Sequence, residues 1–225
     1  LELKIRNLDL TVIIGTCDAY SPLWDNFVTL FDRYWQAPCE KIFVSENKYK
    51  KYKGYEFHLP GADKWSNRIL SGLNNINTEY TVVILEDYYF IEKITKEEIE
   101  FHINFIEEFG ANKVMMDYRC PNLTLAKERS YRSRAFCRLS ARSNYLTSLQ
   151  PSIWKTSHLI SCMHKNWSPW DFEVEGTRKI SGTENKTYLM LRNKKPYWNA
   201  VRKGMIISSG WPDIKKKEQL KEIEL

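Results

Sequence analysis

"VVILEDYYFIEKI", residues 82–94, is the stretch on which the reading of this chain turns. Its run of Val, Ile and Leu has the pattern of a buried strand. The run stops on two adjacent acids, Glu86 and Asp87, and aromatics follow. A core strand ends this way for one of two reasons. Either it has reached the surface and turned, or the paired carboxylates hold a cation at the carboxyl end of a sheet.

The flanking sequence favours a sheet of the second kind. "LTVIIG" (10–15), "KIFVS" (41–45), "TVVIL" (81–85) and "KVMMD" (113–117) are short apolar runs of strand length. Helical signals separate them. Ser21-Pro22 has the form of an N-cap with Pro at the first turn, and Trp24, Phe27, Phe31 and Trp35 follow at helical spacing. Trp65, Ile69, Leu73 and Ile76 mark a second helix. "TKEE" (95–98) has capping-box form and opens a third, which Gly110 closes. Alternating strands and helices imply parallel pairing with crossovers, an α/β class. In such sheets ligands bind beyond the carboxyl ends of the strands. That draws attention to Thr16 and Asp18, Ser45 and Glu46, Glu86 and Asp87, and Asp117.

Beyond residue 118 the pattern loosens. Residues 119–142 carry Arg119, Lys127, Arg129, Arg132, Arg134, Arg138 and Arg142, in a hairpin, an insertion or a loop. "NYLTSLQPSIW" (144–154) suggests extended chain broken at Pro151, with a short helix from 156 to 164. Pro196 is expected to open a helix bearing Trp198 and Val201 and closed by Gly204, before a last strand at "MIIS" (205–208). The tail "DIKKKEQLKEIEL" is expected to be an exposed helix. No internal repeat or low-complexity linker divides the 225 residues, so one domain is expected: 1–118, 119–210, and a charged tail at 211–225.

Composition narrows the class. Apolar residues make up 43% and aromatics 14%, enough for a sizeable core and against bulk disorder. A net charge of +6 fits a partner bearing phosphates, a nucleic acid or an anionic membrane surface. Five cysteines without a C-x-x-C pair suggest reduced thiols and a cytoplasmic setting, with the basic tail as a contact to the inner face of a membrane. The four histidines do not fall at zinc-ligand spacing around the cysteines.

The segments "WSNRILSGLNNINTEYTVVILEDYYF" (65–90), "QPSIWKTSHL" (150–159) and "SPWDFE" (168–173) resemble nucleotide-sugar glycosyltransferases of GT-A fold, particularly those of bacterial surface-polysaccharide synthesis. "LEDYYF" is similar to that group's "LDDYF". The resemblance implies a Rossmann-like single domain with a mixed central sheet flanked by helices. It implies a short acidic motif, Glu86 and Asp87 here, holding Mn²⁺ or Mg²⁺ and the donor diphosphate. Position 86 is Glu and Tyr88 stands where a strict D-x-D has its third-position acid, a departure from that pattern. The donor would be a nucleoside-diphosphate sugar, a UDP-sugar by preference, and the acceptor a hydroxyl on a glycan or lipid-linked sugar.

The remaining site residues are placed on that framework. Asp171 and Glu173 lie among Trp167, Trp170 and Phe172; a carboxylate in apolar surroundings makes a better base near neutral pH. The resemblance matches Asp171 to the base, with Glu173 orienting the acceptor or acting as base itself. Trp170 and Trp154 would face the acceptor sugar. Thr16, Asp18, Ser45, Glu46, Asn67 and Arg68 would meet the donor, Arg68 through a phosphate. Two other functions remain open. A sugar nucleotidyltransferase shares the sheet and the metal chemistry, but "GTCDAYSP" lacks the Gly-rich basic loop it uses after its first strand. A basic nucleic-acid-binding module is the third; no RNP, KH or zinc pattern supports it, so nucleic acid is not an expected partner.

Overall fold

A computed structural model describes residues 8–61, 64–116, 123–191, 195–202, 204–207 and 209–223. Asp117, Arg119 and Cys120 lie outside these. The first half runs β1 (Leu10–Gly15), a 3-10 turn (Asp18–Leu23), α1 (Trp24–Tyr34), β2 (Glu40–Val44) and β3 (Glu56–His58). It continues with α2 (Trp65–Leu73), β4 (Tyr80–Leu85), β5 (Tyr88–Phe90), α3 (Lys96–Phe109) and β6 (Lys113–Met115). The second half begins with β7 (Leu125–Tyr131), β8 (Arg134–Leu139), β9 (Ser152–Lys155) and α4 (Thr156–Cys162). A continuous helical segment follows: α5 (Pro169–Asp171), a π-helical turn (Phe172–Gly176) and α6 (Thr177–Ile180). The chain then forms β10 (Thr187–Met190), β11 (Tyr197–Asn199), β12 (Val201–Arg202), β13 (Met205–Ile206) and α7 (Trp211–Glu218).

Among the described residues the main sheet has nine strands in the order β3-β2-β1-β4-β9-β6-β10-β8-β7. The block β3-β2-β1-β4 is parallel, as the strand–helix alternation predicts. The parallel rule then breaks, because β9 from the second half inserts between β4 and β6 and runs antiparallel to both. The result is one mixed sheet to which both halves contribute.

The central strands β1, β4, β6, β9 and β10 are buried on both faces because helices cover both sides. Val12 and Ile14 of β1 pack with Phe27 and Phe31 of α1 and Phe105 of α3. Ile13, pointing the other way as strand geometry requires, packs with Ile69 of α2, Leu159 of α4 and Phe172. Helix α3 starts and stops where its sequence says. The Glu98 N–H donates to the Thr95 side chain, and Gly110 takes the left-handed conformation (φ 58°) that a residue with a Cβ adopts at a cost.

Four expectations need correction. Helix α1 begins at Trp24, not beside Pro22, because residues 18–23 wind as a 3-10 turn first. Residues 144–149 form turns, and the extended chain starts only at Ser152. The stretch after Pro196 is not a helix. Tyr197–Asn199 pairs antiparallel with Tyr88–Phe90, which gives β5 the edge partner it otherwise lacks. The C-terminal helix is charged but not free of the body. Glu218, 3% exposed, accepts from Arg33 and from the Tyr34 hydroxyl, and Trp211 is buried. Of the Arg-rich stretch, the described part is the β7–β8 hairpin, with Arg129 and Arg134 stacked on Phe109 and Phe101 of α3.

Candidate active site

A cavity of about 870 Å³ opens at the carboxyl ends of β1 and β4, within the range of small-molecule sites. Glu86 and Asp87 form the two-residue turn between β4 and β5, and both line it. The turn is tight because β5 must reverse into its pairing with β11, and the Ala200 N–H reaches back to the Asp87 carbonyl at 2.7 Å. This forces both acids inward. Glu86 is only 5% exposed. Burial raises its carboxyl well above the usual value, and the Asp87 charge adds to that; a Thr16 hydroxyl hydrogen bond and the Arg68 charge oppose it. Burial also raises Asp87, to about 7, against the Val201 backbone N–H.

Two adjacent carboxylates this deep either hold protons, as their raised values record, or meet a cation. Asp87 Oδ1 is buried with no hydrogen-bond partner among the described residues, an orphaned acceptor on a residue that lines the cavity. Among the described residues no group of three or more His, Cys, Asp or Glu side chains comes together. The donor set is therefore two carboxylates. That number suits Mg²⁺ or Mn²⁺ when a diphosphate supplies further oxygens, so the residues present fit such an ion.

The wall on the β1 side carries Thr16 and Arg68. Thr16 accepts from the Trp24 indole at 2.9 Å, and its carbonyl accepts from Arg68 at 3.3 Å. Arg68, 4% exposed, also donates to Glu46 at 3.1 Å. Gly15 is required at the floor: a Cβ there would sit 2.7 Å from Ile69 Cδ1 and 2.9 Å from Trp65 Nε1. The opposite wall comes from the helical segment, with Trp170 and Glu173, and from Leu149 and Gln150. Trp170 is 74% exposed, an apolar plate at the rim.

Of Asp171 and Glu173, only Glu173 has the shielded surroundings expected of both. Asp171 closes a capping box: the Ser168 N–H and hydroxyl donate to it at 2.9 and 2.8 Å. Those bonds lower its carboxyl below the ordinary range, and it does not line the cavity. Glu173 sits in the π-helical turn and does line it. Burial raises Glu173, while the Leu149 amide at 2.7 Å, the Lys113 charge and the Ser148 hydroxyl hold the rise in check. The shielded carboxylate beside the cavity is thus Glu173.

Other expected site residues lie elsewhere. Asp18 accepts from the Asn47 and Lys48 amides at 3.1 and 2.9 Å and from Ser45, so it organises the loop after β2. Its partial burial resists the charge, but those bonds outweigh it and lower the carboxyl. Ser45 is fully buried, and Glu46 spans Arg68 and the Asp18 amide; neither lines the cavity. Asn67 is locked in a reciprocal pair with Asn166, at 2.9 and 3.0 Å. Trp154 is 1% exposed and packs on Phe172 and His158, a core residue that no acceptor can reach. The structure adds Lys195, Asn199 and Arg202 to the cavity wall. The basic run around "KKPYWNAVRK" carried that signal, but the helix expected there pointed it nowhere in particular.

No family model matches the chain, and no curated protein matches it in sequence. Solved structures do match in fold. S. aureus TarS in complex with UDP-GlcNAc aligns with a TM-score of 0.58 at 15% identity, over 90% of this chain and 61% of that one. The architecture is the nucleotide-diphospho-sugar transferase fold, the GT-A type. UDP-glucose pyrophosphorylase complexed with UDP-glucose aligns at 0.51 and 9% identity, over 84% of this chain and 92% of that one. The bifunctional IspDF of Campylobacter jejuni aligns at 0.50 and 16%, over 90% and 53%. The chain spans about 60% of the TarS structure it matches. Among the described residues no helix is long and apolar enough to cross a membrane.

Proposed function

We propose that this chain transfers a sugar from a nucleoside-diphosphate donor to an acceptor hydroxyl. One observation carries the reading: a single cavity has the buried Glu86 and the half-buried Asp87 on one wall and a shielded third carboxylate, Glu173, on another. The first pair suits a divalent ion and the donor diphosphate, with Mn²⁺ or Mg²⁺ neutralising the leaving phosphates when bound. Arg68, Lys195 and Arg202 bring positive charge to the same space. Glu173 is positioned to take the proton from the acceptor hydroxyl as that oxygen attacks the anomeric carbon. Attack from the wall opposite the diphosphate inverts the configuration. Trp170 offers its ring face to the acceptor at the rim, where a glycan or lipid-linked sugar has room to approach. A uridine donor is favoured because TarS and UDP-glucose pyrophosphorylase have been crystallised with UDP-sugars. The base assignment passes from Asp171 to Glu173, since a capped, ionised, outward carboxylate is a poor proton acceptor near neutral pH.

A second reading, nucleotidyl transfer to a sugar phosphate, is favoured by the near-complete coverage of UDP-glucose pyrophosphorylase. Against it, residues 18–23 after β1 form a 3-10 turn containing Pro22, with no glycine in it to cradle a triphosphate. The two readings release different products. Purified protein should liberate UDP from a UDP-sugar when an acceptor is present. Pyrophosphate release from UTP and a sugar 1-phosphate, without UDP release, would select the second reading.

A further inference from the structure

Lys113, the first residue of β6, is fully buried. A lysine in a core carries a desolvation cost and is rarely found there unless its charge is answered. Its ammonium lies 4.2 Å over the Trp154 ring and donates to the carbonyls of Leu146 at 3.2 Å and Ser148 at 2.9 Å. Those carbonyls belong to the segment that holds Glu173. The Leu149 amide donates to Glu173 Oε1 at 2.7 Å. Thr147 donates its hydroxyl to the Phe172 carbonyl at 2.7 Å. Gln150 lines the cavity, donates to the Tyr88 hydroxyl at 3.5 Å and accepts from the Tyr197 hydroxyl.

We propose that Lys113 is a positioning residue: it fixes segment 146–150 through the Leu146 and Ser148 carbonyls and, through the Leu149 amide, holds the Glu173 carboxylate in place. The inference rests on Glu173 being the base. The charged and titratable groups facing Lys113 are Glu173 from the π-helical turn and Cys162 and His158 from α4. Burial lowers Lys113 to about 7, and Glu173 and Cys162 push it back up. The protonated ammonium in turn favours the charged form of Glu173. Removing that charge raises the Glu173 carboxyl, so the acid side of the activity profile moves to higher pH.

The test measures kcat and the donor KM from about pH 5 to 9 for the wild type, Lys113→Met and Lys113→Gln, alone and on a Glu173→Gln background. Lys113→Met removes the charge and both carbonyl contacts and should lower the melting temperature, because one partner of a buried charge pair is lost. Lys113→Gln retains a donor for the two carbonyls but no charge, and decides the matter if the Met variant melts early. Both should move the acid limb of kcat up by about one pH unit, a tenfold loss on that limb, with KM for the donor held. On the Glu173→Gln background neither should cause a further loss, since residues acting through one group are not additive. An unmoved acid limb in both variants, with Glu173→Gln still strongly impaired, overturns the Lys113 assignment alone. Full turnover by Glu173→Gln overturns the base reading on which it stands.

Discussion

Asp171 and Glu173 are two residues apart and differ in every property a base needs. The first accepts two hydrogen bonds at a helix start, from the Ser168 N–H and hydroxyl, while its own N–H donates back to the Ser168 hydroxyl; the second is shielded and meets the cavity. Glu173→Gln should therefore cut turnover by roughly 10²-fold or more. Asp171→Asn should leave turnover close to wild type and lower only the melting temperature. The "S-x-x-D" spacing at 168–171 has the form of a cap, a signal that the expectation of a base there left aside; the depth of Glu173 was not legible, because it depends on a π-helical turn that has no sequence signature of its own. Lys113 was equally hidden. A lysine opening a strand looks like a solvated end until Trp154 and the 146–148 carbonyls are seen to enclose it.

Asp87 gives a second prediction at this scale, and its sign is opposite to that of an ordinary salt-bridged acid. Its carboxyl is raised from 3.8 to about 7 by burial, so the folded protein binds a proton that the unfolded chain has released. Its contribution to stability is present below the unfolded value and is lost as pH rises through the window from 3.8 to about 7. A shift of that size corresponds to on the order of 4 kcal/mol. Thermal melts without metal should show stability declining through that window in the wild type and declining less in Asp87→Asn. A decline of equal size in both would show that Asp87 is not the group responsible.

Among the elements, the strands and helices of the first half were readable because burial on both faces leaves long apolar runs with helical periods between them. The second half was not, for identifiable reasons. The Pro196 stretch has helical-looking apolar spacing, but β5 supplies a pairing partner that sequence spacing cannot reveal. The helical segment after Ser168 depends on a contact rather than on propensity. Gly176 lies so close to Thr147 that a Cβ would stand 2.9 Å from its hydroxyl oxygen. Gly176→Ala should therefore push the segment away from residues 146–150, at a cost of about 1–3 kcal/mol. Because that contact also seats Glu173, the loss of kcat should exceed what the fall in melting temperature alone would give. Denaturant unfolding and kinetics on the same preparation check both halves of the statement.

For the molecule as a whole, the cavity is assembled from distant parts of the chain: β1 and β4 from the first half, residues 149–173 and 195–207 from the second. A ligand that touches both walls should stabilise everything at once. UDP with Mn²⁺ at about 100 times its Kd should raise the unfolding free energy by roughly 2.7 kcal/mol, seen as one cooperative upward shift in melting. Asp87→Asn should abolish the part of that shift that depends on Mn²⁺. The fold class was visible in the first 116 residues, whereas the position of β9 was not, since only the finished sheet shows where an antiparallel strand is inserted.

That insertion bears on how the protein is made. As the nascent polypeptide leaves the ribosome, β4 has a partner on the β1 side but an open edge on the other, and it keeps that edge until residues 152–155 emerge. Throughout that interval β6 has α3 against it but no strand beside it, so the chain emerging over the intervening arginine-rich hairpin carries open strand edges, the feature that favours aggregation.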